Sequence, residues 1–224
     1  MLHVDGVGES LETFAGEPDA IRSEMETRAE RDGFPTVGHE VGMYLAWLVE
    51  ATNARRVFEC GSGYGYSAYW MAPALPSDGS IVLTEIDHDE LADAKTYFER
   101  AGLSDLARFE QGDALEVLNE EDVAYDLILL DHENDRYVEG FDIAASSLTA
   151  GGTIVADNVL HSWEFGPEEI AAGLRGGDVR ESSESYEGIR SYLAYIADRD
   201  DFRSALLPLG EGISVSTHVA DSAV

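Results

Sequence analysis

The sequence predicts an α/β fold, one doubly wound domain around a mostly parallel sheet, and three observations carry that prediction. Short apolar runs of β type alternate with segments of helical period along most of the chain. Several of these runs close on a glycine turn or a carboxylate, as strands do at the ligand-binding edge of an open sheet. The chain's 224 residues, 44% of them hydrophobic, suit one substantial core and leave little for a second.

Residues 1–35 are polar and acidic, with a helix expected from Asp19 to Arg31 and closed by Gly33 and Pro35. They read as a helical lid or an oligomer contact, and 36–224 as the domain proper. From Glu40 to Ala51 the apolar positions Val41, Tyr44, Leu45, Leu48 and Val49 mark an amphipathic helix. Val57 to Cys60 is a strand that runs into Gly61, Ser62, Gly63, Tyr64 and Gly65, after which Tyr66 to Leu75 resumes at helical spacing. Ile81 to Ile86 is a second strand with Glu85 and Asp87 at its end, followed by a helix from Asp89 to Ala101 with Leu91, Ala94, Phe98 and Ala101 inward. Leu106 to Gln111 is a third strand, and Asp113 caps the short helix that Ala114 opens. Tyr125 to Leu130 has the unbroken apolar character of a central parallel strand and ends in Asp131. A helix is expected from Asp135 to Leu148, with Val138, Phe141, Ala145 and Leu148 on one face. After Gly151 and Gly152, a fifth strand from Thr153 to Ala156 ends in Asp157 and Asn158.

The glycine-rich, charged stretch from Trp163 to Glu184 is the expected mobile loop, with a short helical piece from Pro167 to Leu174. Tyr186 to Ala197 is a helix with Ile189, Tyr192, Leu193 and Ile196 inward. Phe202 to Leu207 and Ile213 to Thr217 then close the chain as an antiparallel hairpin, which brings the sheet to seven strands.

The glycine turn narrows the ligand. A dinucleotide fingerprint spaces its glycines G-x-G-x-x-G, whereas here they are Gly61, Gly63 and Gly65 with Tyr66 where the last should stand. No lysine follows, which excludes a P-loop. Glu59, an acid at the strand end, would repel a pyrophosphate but suits a cationic ligand, and S-adenosylmethionine carries a sulfonium and an amine without a phosphate. Glu85 lies about twenty residues beyond the turn, the separation at which an acid takes the ribose hydroxyls of an adenosine.

Charge and cysteine content exclude other classes. Fourteen basic against 45 acidic residues give a net charge of −31, and Lys95 is the only lysine. Acid spread along the whole chain reads as a solvated shell, a composition that resembles proteins of extreme halophiles. It argues against nucleic acid and against an anionic membrane as partners in ordinary salt. Cys60, the only cysteine, is a small buried spacer rather than a nucleophile, and a cytoplasmic setting is expected. No apolar run approaches 18 residues, and neither a secretory signal nor a membrane span is expected.

Asp131, Asp157 and Asn158 end two central strands. Two carboxylates and an amide oxygen are hard donors suited to Mg²⁺, and they are equally ordinary turn and cap residues.

These stretches together resemble one family, the cation-dependent O-methyltransferases that include catechol and caffeoyl-CoA O-methyltransferases. The matches are Val57 to Ser67, Leu83 to Asp87, Gly112 to Ala114, Leu130-Asp131-His132, Asp135-Arg136-Tyr137, Ala156 to Val159 and Gly210 to Ile213. The resemblance implies a Rossmann-like class I methyltransferase domain, commonly a homodimer, that moves a methyl group from S-adenosylmethionine to a small hydroxylated substrate. It implies that Glu59, Gly61 and Ser67 hold the methionine moiety, with the backbone at Val37 closing over it. Glu85 would bind the ribose, with Ile86 among the cofactor contacts, and Asp113 and Ala114 would meet the adenine edge. Asp131, Asp157 and Asn158 would hold the metal, with Asp131 also beside the cofactor.

One position departs from the family. Where relatives carry a lysine that takes the hydroxyl proton, this chain has Asn134, and an amide cannot act as that base. Either the metal acidifies the substrate enough, or His161 or His132 accepts the proton, or the protein binds the cofactor with little turnover. Trp163 is a candidate wall for an aromatic substrate. Methylation of a hydroxylated tRNA nucleoside is a further alternative that the lack of a basic face disfavours.

Overall fold

The strand that precedes the glycine turn, β1 (Arg56–Cys60), lies inside the sheet, flanked by β2 (Ser80–Glu85) and the central strand β4 (Tyr125–Leu130). The computed structural model describes residues 13–14, 17–162, 165–176 and 183–219. Trp163 and part of the loop expected to be mobile lie outside them. Seven strands follow the order β3-β2-β1-β4-β5-β7-β6, with β3 at Ala107–Gln111, β5 at Leu148–Ala156, β6 at Phe202–Leu207 and β7 at Ile213–His218. The first five are parallel; β7 runs antiparallel to both β5 and β6.

Alternation along the central strands divides the core in two. Val57, Leu127, Leu129 and Val155 face one layer of helices, while Phe58, Cys60, Ile128, Leu130 and Ile154 face the other. The first layer is α1 (Ala20–Asp32), α2 (Gly38–Thr52), α3 (Tyr66–Met71) and α4 (His88–Ala101), through residues such as Met25, Leu45, Met71 and Phe98. The second is α5 (Ala114–Asn119), α6 (Tyr137–Ser146), α7 (Pro167–Leu174) and α8 (Glu184–Ala197), through Leu118, Phe141, Ile170 and Tyr192. Both faces of a parallel sheet are thereby covered, as its fully apolar strands require.

Local signals account for most boundaries. Asp19, Asp87, Asp113 and Ser183 each accept backbone N–H bonds as the N-caps of α1, α4, α5 and α8. Gly33 and Gly102 close α1 and α4 in the left-handed conformation.

Three expectations are corrected. Helix α3 ends at Met71 and gives way to a 3₁₀ turn from Ala72 to Ala74, because Pro73 lacks the N–H that would continue an α-helix. The helix expected from Asp135 to Leu148 is a 3₁₀ turn at Asn134–Arg136 followed by α6, and Leu148 already belongs to β5. Gly151 and Gly152 lie inside β5, not before it. Tyr125 pairs with Leu148 and Leu127 with Thr153, so the intervening residues form a bulge, with Gly151 at φ 80°.

The acidic N-terminal segment contributes to the core. Met25 on α1 is fully buried, and its carbonyl accepts a 3.2 Å bond from Tyr64 in the glycine turn. Phe34 packs on the Tyr64 ring at 4.8 Å, and Tyr66 donates to Glu26 at 2.9 Å. Helix α1 therefore braces the turn from outside. No helix among the described residues is long and apolar enough to cross a membrane.

Candidate active site

Strand register brings the site together. Cys60 pairs with Thr84 and with Leu130, and Leu130 pairs with Ala156, so the residues that follow these strands emerge side by side at one edge. Backbone bonds hold them there: Asp131 N–H donates to the Cys60 carbonyl at 2.9 Å, and Asp157 N–H to that of Leu130 at 3.1 Å. This is the switch point of the sheet, where open α/β folds bind ligands.

The cleft has two lobes that share Gly61, Glu85, Asp131 and His132. One, of about 230 Å³, is lined by Ile86, Gly112, Asp113, Ala114 and Arg136. The other, of about 530 Å³, is lined by Val37, Ser67, Tyr64, Asp157, Asn158 and Glu211 among others.

The glycine turn is defined by contacts that leave no space for side chains. Gly61, Gly63 and Gly65 all have positive φ. A Cβ on Gly61 would overlap the Asp131 carbonyl oxygen, and one on Gly63 would come within 2.8 Å of the Phe34 ring. Glu85 fastens the turn, since its carboxylate accepts from Gly63 N–H and from Asp87 N–H, both at 2.9 Å. Glu85 also lines both lobes.

Glu59 lies beneath the turn, fully buried, and accepts a short hydrogen bond from Ser67. Burial raises its pKa to about 7, a rise to which the Glu85 charge adds and which the Ser67 bond opposes. Its Oε2 has no hydrogen-bond partner among the described residues, and Glu59 lines neither lobe, lying beneath the turn rather than on the cleft wall. Cys60 is buried and its thiol pKa is pushed far up by that burial, which makes it a spacer.

In the smaller lobe Asp113 is committed: Oδ1 caps α5 through Leu115 and Glu116, and Oδ2 accepts from Arg136 at 2.6 Å. That arginine bond holds its carboxyl below the ordinary range. Ile86, 65% exposed, forms the outer rim.

The larger lobe gathers the acids. Asp157 is 2% exposed and its Oδ1 has no hydrogen-bond partner among the described residues. Burial raises its pKa to about 7, with Glu211 adding to the rise and the Asn158 N–H opposing it. Asp131 is raised well above the ordinary carboxylate range, by burial first, then by the charges of Asp157, Glu59, Glu211 and Glu85. Asn158 takes the left-handed conformation, φ 57°, and its Nδ2 donates to Glu211 at 2.8 Å. Among the described residues no three His, Cys, Asp or Glu side chains converge as a metal cluster. The set at issue is two carboxylates and an amide, and it fits a hard cation. An unpartnered buried oxygen and two mutually repelling carboxyls are both relieved by positive charge.

The two candidate bases, His132 and His161, and the departing residue Asn134 are placed differently. His132 lines both lobes, rests on Tyr137 at 5.1 Å between ring centroids, and is kept below its ordinary pKa by burial. His161 is half exposed, 3.7 Å from Glu211, and does not line either lobe. Asn134 does not line them either; its Nδ2 donates to Ser185 on α8 at 3.0 Å.

Sequence reasoning gave no role to Glu211, Arg136, Phe34 or Tyr64. A signal for Glu211 existed: it lies between Gly210 and Gly212, both at positive φ, a bracket that marks a loop shaped for close approach.

A protein-family model described as O-methyltransferase matches residues 21–218. A catechol O-methyltransferase of Niastella koreensis is 34% identical over 150 residues, which span 64% of this chain and 67% of that one. Caffeoyl-CoA O-methyltransferase 3 of Nicotiana tabacum is 32% identical over 159 residues, 67% of this chain and 66% of that protein. The solved O-methyltransferase of Bacillus cereus in complex with SAH superposes with a TM-score of 0.81 at 24% identity, over 95% of this chain and 97% of that one.

Proposed function

The chain belongs to the O-methyltransferase family, and from that premise we propose that it transfers a methyl group from S-adenosylmethionine to a hydroxyl of a small catechol-like substrate, assisted by a divalent cation. One observation carries the reading: Asp131 lines both lobes of the cleft, so the hard donors Asp131, Asp157 and Asn158 border the same space as the glycine turn. The glycine turn and Ser67 would seat the methionine end, Glu59 would meet its ammonium, and Glu85 would take the ribose hydroxyls. Asp131, Asp157 and Asn158 would hold the cation, which when bound lowers the pKa of a neighbouring hydroxyl. In the transfer the substrate oxygen forms a bond to the methyl carbon as the carbon–sulfur bond breaks, leaving S-adenosylhomocysteine. The hydroxyl proton passes to a base. His132 borders the cleft, but both its ring nitrogens are buried, with the ring packed against Gly140 and Tyr137, so it would take this proton only if the ring turned toward the cleft.

Positioning does much of the remaining work. The glycine turn is fastened by Glu85, and Tyr64, Tyr66 and Phe34 are among the residues that line the larger lobe. A net charge of −31 leaves nucleic-acid substrates disfavoured.

The test is transfer of labelled methyl from S-adenosylmethionine to catechol in molar salt, with Mg²⁺ and then with excess chelator. Transfer that stops with chelator and returns with Mg²⁺ supports the reading. Transfer indifferent to chelator removes the cation from it, and binding of NADH in place of S-adenosylmethionine overturns it altogether.

A further inference from the structure

Glu211 reaches the cleft from the turn between β6 and β7, far from the other acids in sequence, and its backbone is fixed there. Its carbonyl accepts from Leu160 N–H at 3.1 Å and His161 N–H at 2.9 Å, and the next carbonyl, of Gly212, accepts from Val159 N–H at 2.9 Å. Gly212 has φ 92°, and a Cβ there would overlap Leu160, so the two loops meet closely only because that residue is glycine. From this anchored backbone the Glu211 side chain turns back to Asn158. Its Oε2 accepts the Asn158 Nδ2–H at 2.8 Å, while Oε1 lies 3.7 Å from His161 Nδ1.

An amide has one donor end and one acceptor end. With the nitrogen engaged by Glu211, the oxygen is the atom that Asn158 offers to the lobe it shares with Asp131 and Asp157. A flipped amide would present N–H groups, which cannot ligate a cation and would turn two donors toward the site. We propose that Glu211 is a positioning residue that sets the Asn158 amide with its oxygen toward the cation site. The inference rests on the cation reading above. It assigns to Glu211 the part that hydrogen-bonding partners of metal ligands play generally, where their loss lowers metal affinity about 10- to 100-fold.

The experiment measures Mn²⁺ affinity by electron paramagnetic resonance on the full chain in molar salt, without substrate, for wild type, Glu211→Gln, Glu211→Leu and Asp157→Asn. Thermal unfolding of each variant checks its fold. Glutamine keeps a carbonyl oxygen for the Asn158 N–H, so Glu211→Gln is expected to stay within about threefold of wild type, while Glu211→Leu weakens Mn²⁺ about 10- to 100-fold. Equal affinity in wild type and Glu211→Leu overturns the proposal. So does a loss in Glu211→Gln as large as in Glu211→Leu, which would make Glu211 a charge or a ligand in its own right. If Glu211→Leu fails to fold, Glu211→Ala takes its place, with the same loss expected and equality with wild type again overturning the proposal. Failure of the cation reading itself looks different: wild type and Asp157→Asn then bind Mn²⁺ equally or not at all, and the proposal falls with it.

Discussion

The turn after β1 and the acids after β4 and β5 lie side by side on one edge of the sheet, but they are held in opposite ways. At the turn, three glycines take positive φ, Gly61 and Gly63 abut Asp131 and Phe34 too closely for a Cβ, Gly65 packs tightly on Ala94, and Glu85 accepts two backbone N–H bonds. At the acids, Asp157 keeps an unpartnered buried oxygen and repels Asp131. The backbone of the first region is fastened before any ligand arrives, although Glu59 Oε2 beneath it is unpartnered among the described residues; the second becomes favourable only when positive charge joins it. Stability and function should therefore respond together in one and oppositely in the other.

The largest effect is expected at Gly61, where the two regions touch. Gly61→Ala forces a Cβ into the Asp131 carbonyl at φ 79°. Strain of that kind costs about 1–3 kcal/mol, and each kcal/mol moves a domain of this size by about 2–4 °C. Calorimetry should show S-adenosylhomocysteine affinity falling together with a Tm lowered by roughly 5–10 °C.

Asp157→Asn should separate the two quantities. It removes one of the like charges, so the cation-free protein is expected to be as stable as wild type or higher in Tm by about 2–4 °C. Activity with Mg²⁺ should fall at least about 100-fold in kcat/KM. A Tm that falls along with activity would mean that the acids are structural.

A third test uses pH. Between its ordinary value of 3.8 and about 7, Asp157 is protonated in the folded protein and ionised in the unfolded chain. The folded state then binds more protons, so stability falls as pH rises through that window and levels off above about 7. Glu59, shifted from 4.5 to about 7, acts in the same sense. With a pK unit equal to about 1.4 kcal/mol, the fall is on the order of a few kcal/mol. Denaturant midpoints at pH 5 and pH 8 should differ accordingly, and Mg²⁺ should narrow the gap because the cation takes the place of the proton.

The smallest effects are expected outside the cleft. His161→Ala and Asn134→Lys should each leave kcat/KM within about threefold of wild type, because neither side chain lines the lobes. A large gain from Asn134→Lys in steady-state assays would show that lysine can reach the substrate from this position and that its absence limits the reaction.

Much of this was legible in the chain because the signals are local. Period-2 and period-3.6 patterns, caps such as Asp113 and glycines such as Gly61 act within a few residues, so β4 and α7 match the reading residue for residue. The reading failed where two distant strands set the outcome. Gly151 and Gly152 look like a turn in isolation, and only pairing with β4 makes them a bulge inside β5. Asn134, which the resemblance sets where relatives carry a lysine, has its side chain bonded to Ser185 instead of lining the cleft.

The sequence by itself thus determined the doubly wound sheet, the glycine turn and the carboxylates at the strand ends, since each follows from propensity and spacing along one segment. Only the tertiary structure decided which partners those groups meet. Asn158 and Glu211 are 53 positions apart, Asn134 and Ser185 are 51, and Arg136 and Asp113 are 23. Such contacts depend on how separate elements pack, and no local rule of the chain encodes the distance between their side chains.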